Sequence, residues 1–202
     1  PRPRCSSRWC RPRPPPGPSP PSSPTPIVDP EFAARVDQLL LGEMSDAQRS
    51  VLLAAKQSGA VSQADMESLR ENLFSCFESA GVQYEIAEPK EVAPGLFLPD
   101  YYFMTADDEN FTGMAQADAC LEQHFNSASI AFQQQPIALE FEEREFEAHR
   151  QEMISCLTEN GVQIDSAAPR DEIESALIAL RIETSNADPD SGGVWCDAWR
   201  VE

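Results

Sequence analysis

The chain has 202 residues, 41% of them hydrophobic, enough to bury one sizeable core or two small ones. Residues 1–26 hold five arginines (Arg2, Arg4, Arg8, Arg11 and Arg13) and no acid, so the remainder carries 10 basic against 34 acidic side chains, a net −24. A field of that sign repels phosphate backbones and anionic lipid surfaces, which argues against a nucleic-acid partner, and no apolar run is long enough to form a transmembrane segment.

The acidity has two readings. A dispersed negative surface keeps a protein soluble without any partner, and the same surface can dock a basic protein, peptide or cation.

Residues 1–28 read as a disordered, basic, proline-rich leader, with 11 of the chain's 18 prolines before residue 27. Cys5 and Cys10 flank Trp9 there, but no second pair or nearby His completes a zinc set. Residues 29–61 read as a helical lead-in. Asp29-Pro30-Glu31 is an N-cap with proline at the first helical position, and Gly42 is a stop. Ser45 with Gln48 forms a capping box for a second helix ending at Gly59.

Ser62 starts a third helix that runs to Gly81, with Met66, Leu69, Leu73, Cys76, Phe77 and Ala80 on one apolar stripe. Val82, Tyr84 and Ile86 then alternate as a strand does, and LFLPDYYFMT (96–105) is a second, aromatic strand-like run interrupted by Pro99. A long helix is expected from about Asp107 to Gln135, with Cys120 beside its apolar stripe.

The sequence then repeats a phrase. QADMESLRENLFSCFESAGVQ (63–83) lies without gaps over EREFEAHRQEMISCLTENGVQ (143–163), repeating Glu67, Arg70, Ser75, Cys76, Gly81, Val82 and Gln83 eighty residues later. Apolar positions swap conservatively, Met66 for Phe146 and Phe77 for Leu157 among them. The match reads as a duplicated helix, glycine stop and strand. At the same offset ALIALRIETS (176–185) falls on LFLPDYYFMT, so it is expected to be a strand although periodicity alone leaves helix open. The expected architecture is α+β: two tandem disulfide-pinned helix-strand-strand units, residues 62–137 and 138–202, preceded by helices.

Repetition also orders the cysteines. Cys76 is followed after 44 residues by Cys120, and Cys156 after 40 by Cys196. Pairing within each unit is the economical choice among three pairings, and each bridge would contribute about 4 kcal/mol by restricting the unfolded chain. Four buried free thiols are the alternative. Bridges imply a secreted or cell-surface protein.

The run MSDAQRSVLLAAKQSGAVSQADMESLRENLFSCFESAGVQYEI, with MAQADACLEQHF after it, resembles a group of small secreted proteins and lipoproteins of actinobacteria. The shared pattern is a helix, a G-x-V-[ST] turn, a helix bearing Cys before an Ala-Gly stop, an extended segment, and a helix with a second Cys. The resemblance covers about residues 44–132 and, more weakly, 140–202. It implies no activity. The lipobox cysteine of a lipoprotein is missing, since neither Cys5 nor Cys10 follows an apolar, small-residue run.

Reactive constellations are sparse. His124 and His149 sit among glutamates, and Glu145 with His149 is a carboxylate–imidazole pair at helical spacing. No H-E-x-x-H, G-x-S-x-G or phosphate-binding glycine motif occurs. Asn186, Asp188, Asp190 and Asp197 resemble a calcium loop without its central glycine. Asn110-Phe111-Thr112 is a glycosylation sequon.

The expectation is therefore an exported, non-enzymatic cell-envelope or extracellular interaction module with no cofactor, binding an unidentified protein or envelope component. Tyr84, Phe97, Tyr101, Tyr102 and Phe103 are its candidate surface, or else ordinary packing beneath the long helix. The alternative is an acidic inhibitor or immunity-type protein that masks a basic partner.

Overall fold

In the computed structural model, residues 28–103, 112–187, 194 and 196 are described. The leader with Cys5 and Cys10, the residues at which the long helix was to begin, Asn110 and Phe111 of the sequon, and Asp188, Asp190 and Asp197 of the calcium-like set lie outside them.

The protein is mixed helix and strand, and mostly helical. Helices α1 (Pro30–Leu39) and α2 (Asp46–Ser58) form the lead-in. The Asp29 side chain accepts the N–H groups of Glu31 and Phe32, and Gly59 ends α2 in the left-handed region. Helix α3 (Gln63–Ala80) starts on Ser62 and stops at Gly81, at φ 74°, where the Val82 N–H returns to the Phe77 carbonyl at 2.9 Å. Its stripe is buried as expected at Met66, Leu69, Leu73 and Phe77.

Four short strands follow: β1 (Tyr84–Ile86), β2 (Lys90–Ala93), β3 (Leu96–Leu98) and β4 (Tyr101–Phe103). β1 pairs antiparallel with β4 and β2 with β3, with a register shift between Glu91 and Ala93. The Ala87 N–H reaches the Asp100 carbonyl at 3.0 Å between the two pairs. The four strands thus form one irregular β-ribbon, closed by a turn in which Gly95 takes φ 76°. β3 packs on α3, while β2 packs on the later helix α6 (Pro136–Glu159).

Two sequence expectations need correction. The single helix expected through Gln135 is two, α4 (Thr112–His124) and α5 (Asn126–Gln133), broken at Phe125. Gln48 accounts for the break. It is fully buried; its Nε2 donates to the carbonyls of Glu122 and Gln123, both at 3.0 Å, and its Oε1 accepts the Ala128 N–H at 3.0 Å. One side chain thereby satisfies groups that the end of α4 and the start of α5 leave without helical partners. The Ser45 hydroxyl does accept the Gln48 N–H, at 3.3 Å, as a capping box requires, but the Gln48 side chain is committed to this junction.

The second correction concerns ALIALRIETS, which is helical and belongs to α7 (Arg170–Ala187). Ile173, Leu177, Leu180 and Thr184 recur at helical spacing on its inner face, with Ile178 and Ile182 outside. This segment has no counterpart of the Pro94-Gly95 turn or of Pro99, the residues that shape the ribbon. Among its described residues the second unit therefore contains a helical hairpin and no strand pair, so the expected pair of helix-strand-strand units is not seen.

Both copies of the repeated phrase do end alike. Gly161 takes φ 85°, and the Val162 N–H returns to the Leu157 carbonyl at 2.9 Å, as Val82 does to Phe77. Two buried clusters result. The larger joins Phe32, Val36, Leu52, Met66, Leu73, Phe77 and Phe132 from α1, α2, α3 and α5 with Phe125 of the α4–α5 break. The smaller joins Phe146, Met153, Leu157, Ile173 and Leu180 between α6 and α7.

Replacing Gln48 with Leu leaves the buried Ala128 N–H and the Glu122 carbonyl without this partner, while the Gln123 carbonyl keeps the Ser45 N–H at 2.7 Å, so urea denaturation should show a loss of about 2 kcal/mol. Gln57→Leu, on the exposed face of the same helix, should change stability by less than about 0.5 kcal/mol. Equal effects would show that the junction does not depend on the glutamine.

Candidate functional site

The ribbon carries the aromatic residues singled out as a candidate surface, and it divides them. Tyr84 stacks on Phe74 of α3, with ring centroids 4.7 Å apart, and lies 5.4 Å from Phe77. Tyr101 meets Phe74 and Phe77 edge-on, each at 5.9 Å, and reaches Phe125 at 6.4 Å. These five rings tie the ribbon to α3 and to the α4–α5 break.

Phe97 differs. It is 38% exposed on β3, and Ile86 on β1 is 64% exposed, so the ribbon presents some apolar surface outward. The backbones of Tyr102 and Phe103 pair with Glu85 and Tyr84.

The phenols record this environment. Burial, with the adjacent Asp100 carboxylate, pushes Tyr101 up to about 12. Tyr84 is also raised, by burial and by its contact with Glu78.

The cysteines pair as repetition favoured. Cys76 on α3 joins Cys120 on α4, with Cα atoms 5.8 Å apart, and Cys156 on α6 joins Cys196 beyond α7, at 5.6 Å. Bridged cysteines hold no free thiolate for nucleophilic work.

Much of the basic charge is used internally. Lys56 pairs with Asp37, and Arg49 donates to the Leu40 and Gly42 carbonyls. Arg170 binds Glu142 at 2.6 Å, Glu143 at 2.8 Å and Glu174 at 3.0 Å, locking α7 to α6. Burial acts to lower the Arg170 pKa, but these hydrogen bonds prevail and raise it. Arg150 binds Glu147 and the Ala168 carbonyl. Both guanidiniums lie over the buried Phe146 ring, 5.1 and 4.9 Å from its centroid.

His149 faces Glu152 at 3.0 Å, whereas Glu145, the partner suggested by spacing, approaches Arg144 at 3.9 Å. His124 lies in the last turn of α4. Among the described residues no three His, Cys, Asp or Glu side chains come together to hold a metal. Nor is any helix among them long and apolar enough to cross a membrane.

Gln48 and Arg170 are the residues that sequence reasoning undervalued. Gln48 carried a signal, its place in a capping box, but that signal pointed to a local role. No protein family, curated protein or solved structure matches this chain. Function is therefore argued from its own residues.

Because the folded-state pKa of Tyr101 is raised, its stabilising contribution is complete below about pH 10, where the unfolded phenol also keeps its proton. That contribution is lost progressively as pH rises toward about 12. Phenolate absorbance on alkaline titration should show a late component that Tyr101→Phe removes, and urea stability should fall between about pH 10 and pH 12. A Tyr101 that ionises near pH 10 with the fold intact would contradict this packing.

Proposed function

We propose that the protein is an exported, non-enzymatic interaction module of the cell envelope or extracellular space. The observation that carries this reading is the pair of bridges, Cys76 to Cys120 and Cys156 to Cys196, one associated with each buried cluster. Such bridges persist where thiols are kept oxidised. The resemblance of residues 44–132 to small secreted proteins points the same way, and the outward Phe97 and Ile86 of the ribbon are its candidate contact residues.

The test is to express the chain twice, once retained in a reducing cytosol and once directed to an oxidising periplasm. The exported form should carry no free thiol at these four positions and should be more stable by several kcal/mol, at about 4 kcal/mol for each bridge. Equal stability, or free thiols in the exported form, would count against the reading.

A second reading, an acidic protein that masks a basic partner, is favoured by a separate observation. Arg49, Lys56, Arg150 and Arg170 are engaged within the fold, while Glu71, Glu88, Glu140, Asp171, Glu172 and Glu183, outside those ion pairs, are exposed. Outward carboxylates then dominate the field. Binding to an immobilised oligolysine peptide should be measurable at about 50 mM salt and fall at least about tenfold by 500 mM, where screening is strong. Absent or salt-insensitive binding would remove this second reading and leave the first standing.

A further inference from the structure

The two bridges occupy unequal settings. Cys120 is 3% exposed and belongs to the larger cluster, so a thiol reagent cannot readily approach its sulfur. Attack on the half-buried Cys76 must instead expel Cys120 as a thiolate into apolar surroundings, which disfavour the charge. Cys156 and Cys196 are both half-buried, so this bridge has neither obstacle to the same degree.

A further difference lies one turn beyond each helical cysteine. Asn160 sits four residues after Cys156, and its Nδ2 donates to the Cys156 carbonyl at 2.8 Å and lies 3.8 Å from the Cys156 sulfur. The corresponding residue after Cys76 is Ala80, which has no donor to offer. An N–H beside sulfur stabilises a departing thiolate. Both helical cysteines lie five residues before their stop glycine, so the helix end treats them alike.

We propose that Cys156–Cys196 is a thiol-reducible clasp that opens while Cys76–Cys120 stays closed. A thiolate of an external dithiol attacks the Cys196 sulfur, forming a mixed disulfide and releasing Cys156 as a thiolate beside Asn160. The reagent's second thiolate then attacks its own sulfur in that mixed disulfide and displaces Cys196. Two electrons and, after protonation, two protons pass to the protein, and the reagent leaves as its cyclic disulfide.

Opening removes the covalent tie between α6 and the segment beyond α7. Near that tie the Val194 N–H is held by the Thr184 hydroxyl at 2.7 Å, and Val194 packs on the smaller cluster with Val162, Ile164 and Leu177. Release of Val194 uncovers the part of the smaller cluster on which it packs. Arg170 still joins α7 to Glu142 and Glu143, so the helical hairpin is loosened and not dismantled. The order of opening does not rest on the proposed function, since it follows from the surroundings of the sulfurs.

The test is timed reduction of the full-length oxidised protein with dithiothreitol, quenching by alkylation and peptide mass mapping, with Cys5 and Cys10 assigned separately. Cys156–Cys196 should open at least about tenfold faster than Cys76–Cys120. The singly opened protein should keep its first cluster by near-ultraviolet circular dichroism. Asn160→Ala should slow opening of the second bridge several-fold and leave the first bridge's rate unchanged. Equal rates, the reverse order, or loss of the first cluster on opening the second bridge would overturn the proposal. If Asn160→Ala folds poorly, Ala80→Asn gives the reciprocal test, with faster opening expected at Cys76–Cys120 and unchanged opening refuting the role assigned to the amide.

Discussion

The bridge between Cys76 and Cys120 is the constraint around which the larger half of the protein is arranged. It joins α3 to α4 across 44 residues that hold the whole β-ribbon. A two-stranded ribbon of short, irregular strands has little stability of its own. Here its base is pinned at Gly81, its length is packed on α3 through Tyr84 and Tyr101, and its return is fixed where α4 is tied back to α3. Fixing α4 also places the Phe125 break where Gln48 reaches it, which brings α5 into the same core. Covalent restraint, aromatic packing and one buried amide therefore act on a single junction.

The second half is held by a different balance. Its cluster is smaller; Arg170 supplies ion pairs across the helical hairpin, Arg150 reaches from α6 to the Ala168 carbonyl, and both cover Phe146. Exposed pairs contribute little singly, but a guanidinium shared among three carboxylates and an aromatic face is a network. The charge distribution follows from this arrangement. Basic groups are spent on holding elements together, and the glutamates left at the surface give the body its sign.

Much of this was legible in the sequence because it rests on local chemistry. Asp29, Ser45 and Ser62 start helices, Gly59 and Gly81 end them, and the stripe through Met66, Leu73 and Phe77 marks the buried face. The repeated Cys and Gly positions also pointed to the observed pairing. What failed was inference by offset. Residues 176–185 were assigned as a strand from their alignment to the ribbon, yet their own period places Ile173, Leu177, Leu180 and Thr184 on one helical face. The α4–α5 break was hidden because its cause, Gln48, lies 80 residues before Ala128. The candidate aromatic surface was half hidden for a related reason: alternation in a strand does not reveal which side meets Phe74 and Phe77.

The most direct measurement is hydrogen exchange, resolved by peptide, on the oxidised protein and on a Cys76→Ser/Cys120→Ser variant. If the first bridge is the organising restraint, the variant loses protection through residues 84–103 and along α4, while α6 and α7 keep theirs. Unchanged protection in the ribbon, or an equal loss across both halves, would contradict that role.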